Sequence, residues 1–435
     1  MDADEIRQLD PMLREYLGRF DDCFARRDTR AHLPVYIRGQ LSNLQRKSVE
    51  PIALEAGVPV RTLQEFLSQH EWDHRRMRDR LQQIARDEHT RGKGKVIGIF
   101  DETSWVKKGD KTPGVQRQYL GCVGKRENGI VTVHLGVSVG EFHALLDGEL
   151  FLPESWSRDR ARCRAAGIPD EVVYRPKTEI ALAMYDRARA NGLAFDWVTF
   201  DEWYGSKPPF LRGLDDRQQK FVGEIPKNVV GWIDPPPITT RPYRRGRQGR
   251  GRKTPRVMAG SRKAQTVEQL ARSHPALRDQ RWQTWRIKDG EKGPIVWKVK
   301  HVLLYVKDEE ALPTQRYHLL VCKNPLTGEI KYFLSNAPPK TPVKKLLQVA
   351  FSRWPIERCF EDHKGEVGLT HWEGRVWVGL ERHLILTAVS YLFLAIACQR
   401  LREKKSGPDR LPGAKGRQHR SAIVVAQSGG QGQVV

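Results

Sequence analysis

Arg353-Trp-Pro-Ile-Glu357-Arg-Cys-Phe-Glu361-Asp-His-Lys364 sets a carboxylate between two cations on what reads as one helix. Glu357 follows Arg353 by four residues, and residues four apart share a helix face. Lys364 lies two turns beyond Glu357 and returns to nearly that face. An acid that binds a divalent cation, flanked by cations that hold phosphates, suits phosphodiester chemistry. The same residues also suit an ordinary solvated helix with incidental ion pairs. The stretch therefore acquires meaning only if the chain supplies further acids and a surface for a polyanion.

The bulk properties favour such a partner. The chain has 435 residues, with 75 Lys and Arg against 52 Asp and Glu, a net charge of +23. That length leaves room for roughly two or three domains. The basic excess predicts attraction to polyanions and says nothing about fold. Twelve tryptophans are more than a purely electrostatic binder needs, and core packing accounts for most of them. The six cysteines (Cys23, Cys122, Cys163, Cys322, Cys359 and Cys398) form no Cys-x-x-Cys pair and no Cys/His cluster with zinc spacing. Free thiols in a reducing compartment are expected. The opening MDADEIRQLD is acidic and polar, unlike a signal peptide. The most apolar run, Leu384 to Cys398, reads as a buried helix rather than a membrane span. The expected location is the cytoplasm, associated with the nucleoid.

Residues 1–91 read as helical throughout, as an N-terminal DNA-binding domain. Within them, residues 49–67 carry a small residue at Ala53, Gly57 four later, and apolar Leu63 and Phe66 six and nine after the glycine. That is the helix-turn-helix pattern. The second helix would turn Arg61, Gln64 and Glu65 outward and pack Leu63, Phe66 and Leu67 inward. A plain helical hairpin fits the same pattern.

From residue 92 the character changes to α/β. Lys95 to Phe100 reads as a buried strand ending at Asp101, and Phe195 to Phe200 as another ending at Asp201. Runs at 116–124 and 130–137 around Asn128-Gly129 read as an antiparallel hairpin. An amphipathic helix is expected over 178–191 and a further strand over 220–225. Strands and helices in this order make a mixed layer, assigned to 92–226 and 339–404. Residues 227–338 read as a β-rich insertion, with strands at 281–286, 296–300, 301–306, 317–321 and 331–335. Its basic loop, 241–263, holds ten cations and no acid, among them Arg244, Arg245, Arg247, Arg250, Arg252 and Lys253. Such a loop tracks a DNA backbone or is simply solvated. Trp282, Trp285 and Trp297 are candidates to stack on an unpaired base, or core residues of their strands. Residues 405–435 are polar, basic and then Gly/Gln-rich, as in a disordered tail.

Asp101 and Asp201 thus share a position, the end of a buried strand, where side chains leave the core at one sheet edge. With Glu357 they form a trio able to hold two Mg²⁺ ions about 3.5–4 Å apart. Glu102 and Glu202 follow the two aspartates directly and should point to the opposite face. Glu361, one turn past Glu357, is a rival for the third place.

The pattern Arg-x₃-Glu-x₆-Lys, with Asp101 and Asp201 ahead of it, resembles the DDE transposases of bacterial insertion sequences. It is most similar to the group with a Tyr-x₂-Arg-x₃-Glu-x₆-Lys signature. Phe100-Asp-Glu-Thr-Ser-Trp105, Thr199-Phe-Asp-Glu-Trp-Tyr-Gly205 and His363-Lys-Gly-Glu-Val-Gly-Leu369, leading to Arg382-His383, extend the resemblance over roughly residues 10–400. Ala350 stands at the tyrosine position. The resemblance implies a ribonuclease-H-like core with a β insertion between the second Asp and the Glu. It implies cleavage at transposon ends with Mg²⁺ (or Mn²⁺ in its place), then attack of the freed 3′-hydroxyl on target DNA. By the same resemblance Asp101, Asp201 and Glu357 would be the metal ligands, and Arg353 and Lys364 would contact phosphates. Double-stranded DNA would be the partner, and a homodimer would bring two ends together. Two other readings stay open, a different ribonuclease-H-like nuclease and a non-catalytic DNA-binding derivative of a transposase.

Overall fold

The computed structural model describes residues 8–89, 94–240, 254–290 and 293–405. The chain is mixed α/β and divides into two compact units, one of residues 1–195 and 354–435, the other of 196–353.

Among the described residues the first unit opens with five α-helices, α1 (Leu9–Gly18), α2 (Arg27–Leu41), α3 (Val49–Glu55), α4 (Val60–Ser68) and α5 (His74–His89), with a short 3-10 turn at Asp21–Cys23. Four strands follow: β1 (Ile97–Val106), β2 (Gln116–Leu120), β3 (Lys125–Val139) and β4 (Phe142–Leu150). β3 lies at the centre, antiparallel to β1 on one edge and to β2 and β4 on the other. Helices α6 (Glu154–Arg158), α7 (Arg160–Ala165) and α8 (Lys177–Ala190) come next.

Two expectations change here. β1 does not stop at Asp101 but runs on to Val106, because β3 offers it a paired backbone as far as Gly129. Asp101 is therefore an interior strand residue, opposite His134. The hairpin of β2 and β3 exists, but it turns at residues 121–124, with Gly124 at a φ of 64°, and not at Asn128-Gly129. Gly129 sits within β3 where a Cβ would meet the Trp105 carbonyl oxygen at 2.4 Å. The Asn128 amide donates to the carbonyls of Lys107 and Gly109 at 2.7 and 2.8 Å.

The second unit contains β5 (Trp197–Phe200), α9 (Glu202–Gly205), α10 (Pro208–Asp216), β6 (Val222–Ile225), β7 (Val230–Trp232), β8 (Ile238–Thr239), β9 (Arg256–Val257) and β10 (Gln265–Thr266). It continues with α11 (Val267–Ser273), α12 (Pro275–Arg278), β11 (Gln283–Gly290), β12 (Gly293–Lys307), β13 (Pro313–Lys323), β14 (Ile330–Ser335) and α13 (Val343–Ala350). Seven of its strands form one antiparallel sheet, ordered β10, β7, β12, β13, β14, β6, with β11 also on β12. The stretches 296–300 and 301–306 are one strand, β12, not two. Trp297 is buried against Phe351 with ring centroids 5.1 Å apart, so it is a core residue. Trp282 is 36% exposed with the Lys300 amine 4.9 Å from its ring.

The chain returns to the first unit with α14 (Trp354–Gly365) and α15 (Trp377–Lys405). Pro355 lacks the N–H a helix interior needs, which fits a helix that begins beside it. Arg353 accordingly precedes the first helical residue and is not part of the helix that carries Glu357.

From Leu384 to Cys398 α15 is buried on every side and almost wholly apolar, as such a stretch must be. By length and composition alone it could cross a membrane, but 78% of its apolar window is buried inside the protein. It packs on β4, α2, α4 and α5. Polar ties fix the contacts: Tyr16 Oη donates to the Val389 carbonyl at 2.8 Å, and Ser390 Oγ to Gln40 Oε1 at 2.7 Å. Arg382, buried, donates to the carbonyls of Phe66 and Leu67 at the end of α4 and lies over the Trp72 ring.

Candidate active site

The site is built on one strand and one helix of the first unit. Ile356, Cys359 and Phe360 of α14 join Ile99 of β1, Leu145 of β4 and Tyr391 of α15 in one buried cluster. The helix can come this close because Gly136 of β3 has no side chain. A Cβ there would meet Ile356 Cδ1 at 2.4 Å. Seating Ile356, Cys359 and Phe360 inward rotates Glu357, Glu361 and Lys364 to one flank, at the spacing of successive helical turns.

That flank lines an open cleft of about 250 Å³, shared with Asp101, Ser104 and Cys122. Asp101 is buried at 9% exposure, and its Oδ1 accepts the Glu102 N–H at 2.8 Å. Glu357 is half-buried and Glu361 exposed. Glu102 also borders the cleft, but its carboxylate is ion-paired with Lys177 of α8 at 2.5 Å. Sequence reasoning had no signal for Lys177, which lies 75 positions downstream (177 − 102).

Burial lowers the pKa of Lys364, while Cys122, Asp101 and Glu361 act in the other direction. Next to Asp101 on the neighbouring strand β3, and against Phe360 of α14, burial pushes His134 down to about 3, so its imidazole is neutral near pH 7. Thr132 Oγ1 lies 2.7 Å from its Nε2.

Asp201 belongs to the second unit. It follows β5 directly, as expected, and its Oδ1 caps α9 by accepting the Tyr204 N–H at 3.1 Å. Glu202 is exposed. Ala350 is buried at the end of α13, and the neighbouring Phe351 ring packs on Trp297 and Phe333. Asp101, Glu357 and Lys364 therefore share one cleft, while Asp201 and Arg353 are residues of the second unit. Among the described residues, no group of three or more His, Cys, Asp or Glu side chains is gathered tightly enough to hold a metal ion.

α3 and α4 are joined through Gly57, whose φ of 65° places it in the left-handed region. Leu63, Phe66 and Leu67 are buried, whereas Arg61 and Gln64 face solvent and Arg61 Nε meets Glu65 at 2.6 Å. Arg244, Arg245, Arg247, Arg250, Arg252 and Lys253 lie outside the described residues.

Residues 19–294 match the family described as DDE superfamily endonuclease. The chain belongs to this family of endonucleases, in which dependence on a divalent metal is general. It is 35% identical over 194 residues to a probable transposase for insertion sequence element IS701 from Microchaete diplosiphon, covering 44% of this chain and 47% of that protein. The chain thus spans about half the length of that relative. Among solved structures, the piggyBac transposase synaptic complex with hairpin DNA is similar at a TM-score of 0.41 and 11% identity, over 92% of this chain and 71% of that one. The NurA nuclease from Sulfolobus solfataricus is similar at a TM-score of 0.25 and 10% identity, over 65% and 89%. At those scores neither likeness establishes a shared fold.

Proposed function

We propose that this protein is a transposase of an insertion sequence, which cleaves phosphodiesters at element ends and joins the freed 3′-hydroxyl to target DNA. The observation that carries the reading is the single cleft lined by Asp101 of β1 and by Glu357 and Lys364 of α14. The 35% identical relative, a probable transposase, supports it.

In this reading the first unit's sheet with α14 is part of a ribonuclease-H-like core, α3 and α4 contact DNA through Arg61 and Gln64, and Asp201 completes the acid trio. Carboxylate oxygens are the donors that hard divalent cations prefer, so the donor chemistry of Asp101, Glu357 and Asp201 suits Mg²⁺ or Mn²⁺, and the three together would hold two ions. When bound, the metal would supply Lewis-acid activation of the attacking and leaving oxygens. Asp101, shielded from water in its strand, stays placed by the backbone N–H of Glu102. Glu357 reaches the cleft from a helix locked against β3. Lys364 offers a positive charge to a phosphate oxygen, and Arg353 a second phosphate contact. The basic loop at 241–263 adds affinity along the DNA backbone. Dimerisation would bring two element ends together.

A strand-transfer assay tests the proposal. Wild-type protein with end-bearing duplexes, Mg²⁺ and a supercoiled target is expected to give joined products. Cleavage without joining would make the chain a nuclease. Binding with neither step would make it a non-catalytic derivative.

A further inference from the structure

A larger cleft of the first unit, about 830 Å³, opens where β1 ends. Its basic side chains are Arg46, Lys107, Lys108, Lys111 and Arg375, against two acids, Asp110 and Glu373. Glu373 is paired with Arg46. Lys107 turns inward and donates to the Trp372 carbonyl. Lys108, Lys111 and Arg375 are exposed, and none of the three appears in an ion pair of the described structure.

The lining favours one kind of occupant. Trp372 is 5% exposed, and the half-buried His371 accepts the Lys47 N–H at Nδ1, so the described walls offer no open aromatic face. Single-stranded nucleic acid is held by such faces, which this cleft lacks. A small apolar ligand would need a more enclosed, apolar wall. Exposed Lys and Arg on an open surface are phosphate contacts of the positioning kind. The cleft is also placed usefully. Asp101 and Val106 lie five residues apart on one extended strand, about 17 Å at 3.3 Å per residue. That is roughly half of the 34–36 Å helical repeat of duplex DNA.

We propose that this groove holds the phosphate backbone of duplex DNA about half a helical turn from the Asp101–Glu357 cleft, with Lys108, Lys111 and Arg375 as the contacts. The inference rests on the reading that the protein acts on DNA. It assigns residues that no sequence motif marked.

Binding of an arbitrary duplex, without metal, across a salt series tests it. Lys108→Gln/Lys111→Gln/Arg375→Gln is compared with wild type and with a matched variant, Arg14→Gln/Arg158→Gln/Arg164→Gln, which removes three exposed cations elsewhere. Each lost phosphate contact reduces the slope of log affinity against log salt by about 1. The groove variant is expected to lose about 3 in slope, equally on unrelated sequences, with an unchanged melting temperature, while the matched variant loses little. Lys111→Gln alone should lose about 1, which guards against a folding defect in the triple variant. Equal slopes for the groove and matched variants, or a groove variant like wild type, would overturn the assignment. A wild-type protein that binds no duplex even at low salt would instead bring down the DNA reading itself.

Discussion

Asp201 joins an observed duty to a proposed one, and the two are separable. Its carboxylate caps α9 through the Tyr204 N–H, and in the proposed site the same carboxylate would hold metal. Asn caps a helix as well as Asp does, whereas Ala does not cap and costs typically about 1 kcal/mol. Asp201→Asn should therefore unfold at nearly the wild-type urea midpoint yet lose cleavage. Asp201→Ala should lose cleavage and about 1 kcal/mol of stability as well. Cleavage by Asp201→Asn at the wild-type rate would reduce the residue to a cap. Both aspartates were legible in the sequence because each follows an apolar, β-branched run. The position of Asp101 within its strand was not, since the length of β1 is set by pairing with β3 some thirty residues away.

Elements place the site through one close approach, Ile356 of α14 over Gly136 of β3. Gly136→Ala would force a methyl group against a fully packed Ile356. Overpacking of this kind costs about 1–3 kcal/mol. Ile356→Val removes the clashing Cδ1 and alone costs about 0.5–1.5 kcal/mol. In the double variant the two losses should be clearly less than additive by urea denaturation, as expected for residues in contact. Strict additivity would show that the helix does not depend on that glycine. The helix itself could be read from the spacing of its charges, although Arg353 falls outside it. β4 escaped notice for a physical reason. Its Phe142–Leu150 run includes Asp147 and Glu149, which look like surface residues. Arg187 of α8 neutralises both, at 3.0 and 3.2 Å, and Arg175 also pairs with Glu149. Those partners come from distant sequence, so no local pattern announces a buried strand.

At the scale of the whole molecule, buried neutral histidines couple stability to pH. His383 of α15 is enclosed, with Nδ1 3.1 Å from Tyr36 Oη and Nε2 3.1 Å from the Leu369 carbonyl. Burial lowers its pKa from 6.5 to about 4. In the second unit, burial and the adjacent His318 lower His301 from 6.5 to about 4. The unfolded chain takes up these protons below about pH 6.5, while the native protein does not until about pH 4. Stability is therefore full above pH 6.5 and falls as the pH drops toward 4. The urea midpoint should decline between pH 7 and 5, and His383→Gln should make that decline shallower. A flat profile would contradict the assignment of neutral buried rings. The net charge of +23 and the order of strands and helices were readable at this scale, and they point to a polyanion partner and an α/β core. The division at residues 195 and 353 was not, because the N-terminal helices share buried contacts with α15 at the other end of the chain.

In the proposed function the acids of β1 and α14 perform metal-dependent cleavage of DNA. Its most direct test is the cleavage rate of end-bearing duplex with Mg²⁺ for Asp101→Asn, Glu357→Gln and Glu361→Gln, with duplex binding measured in parallel. Asp101→Asn and Glu357→Gln should bind DNA as wild type does and show no cleavage, while Glu361→Gln keeps most of its activity. Wild-type cleavage by Glu357→Gln, or a loss confined to Glu361→Gln, would remove Glu357 from the site.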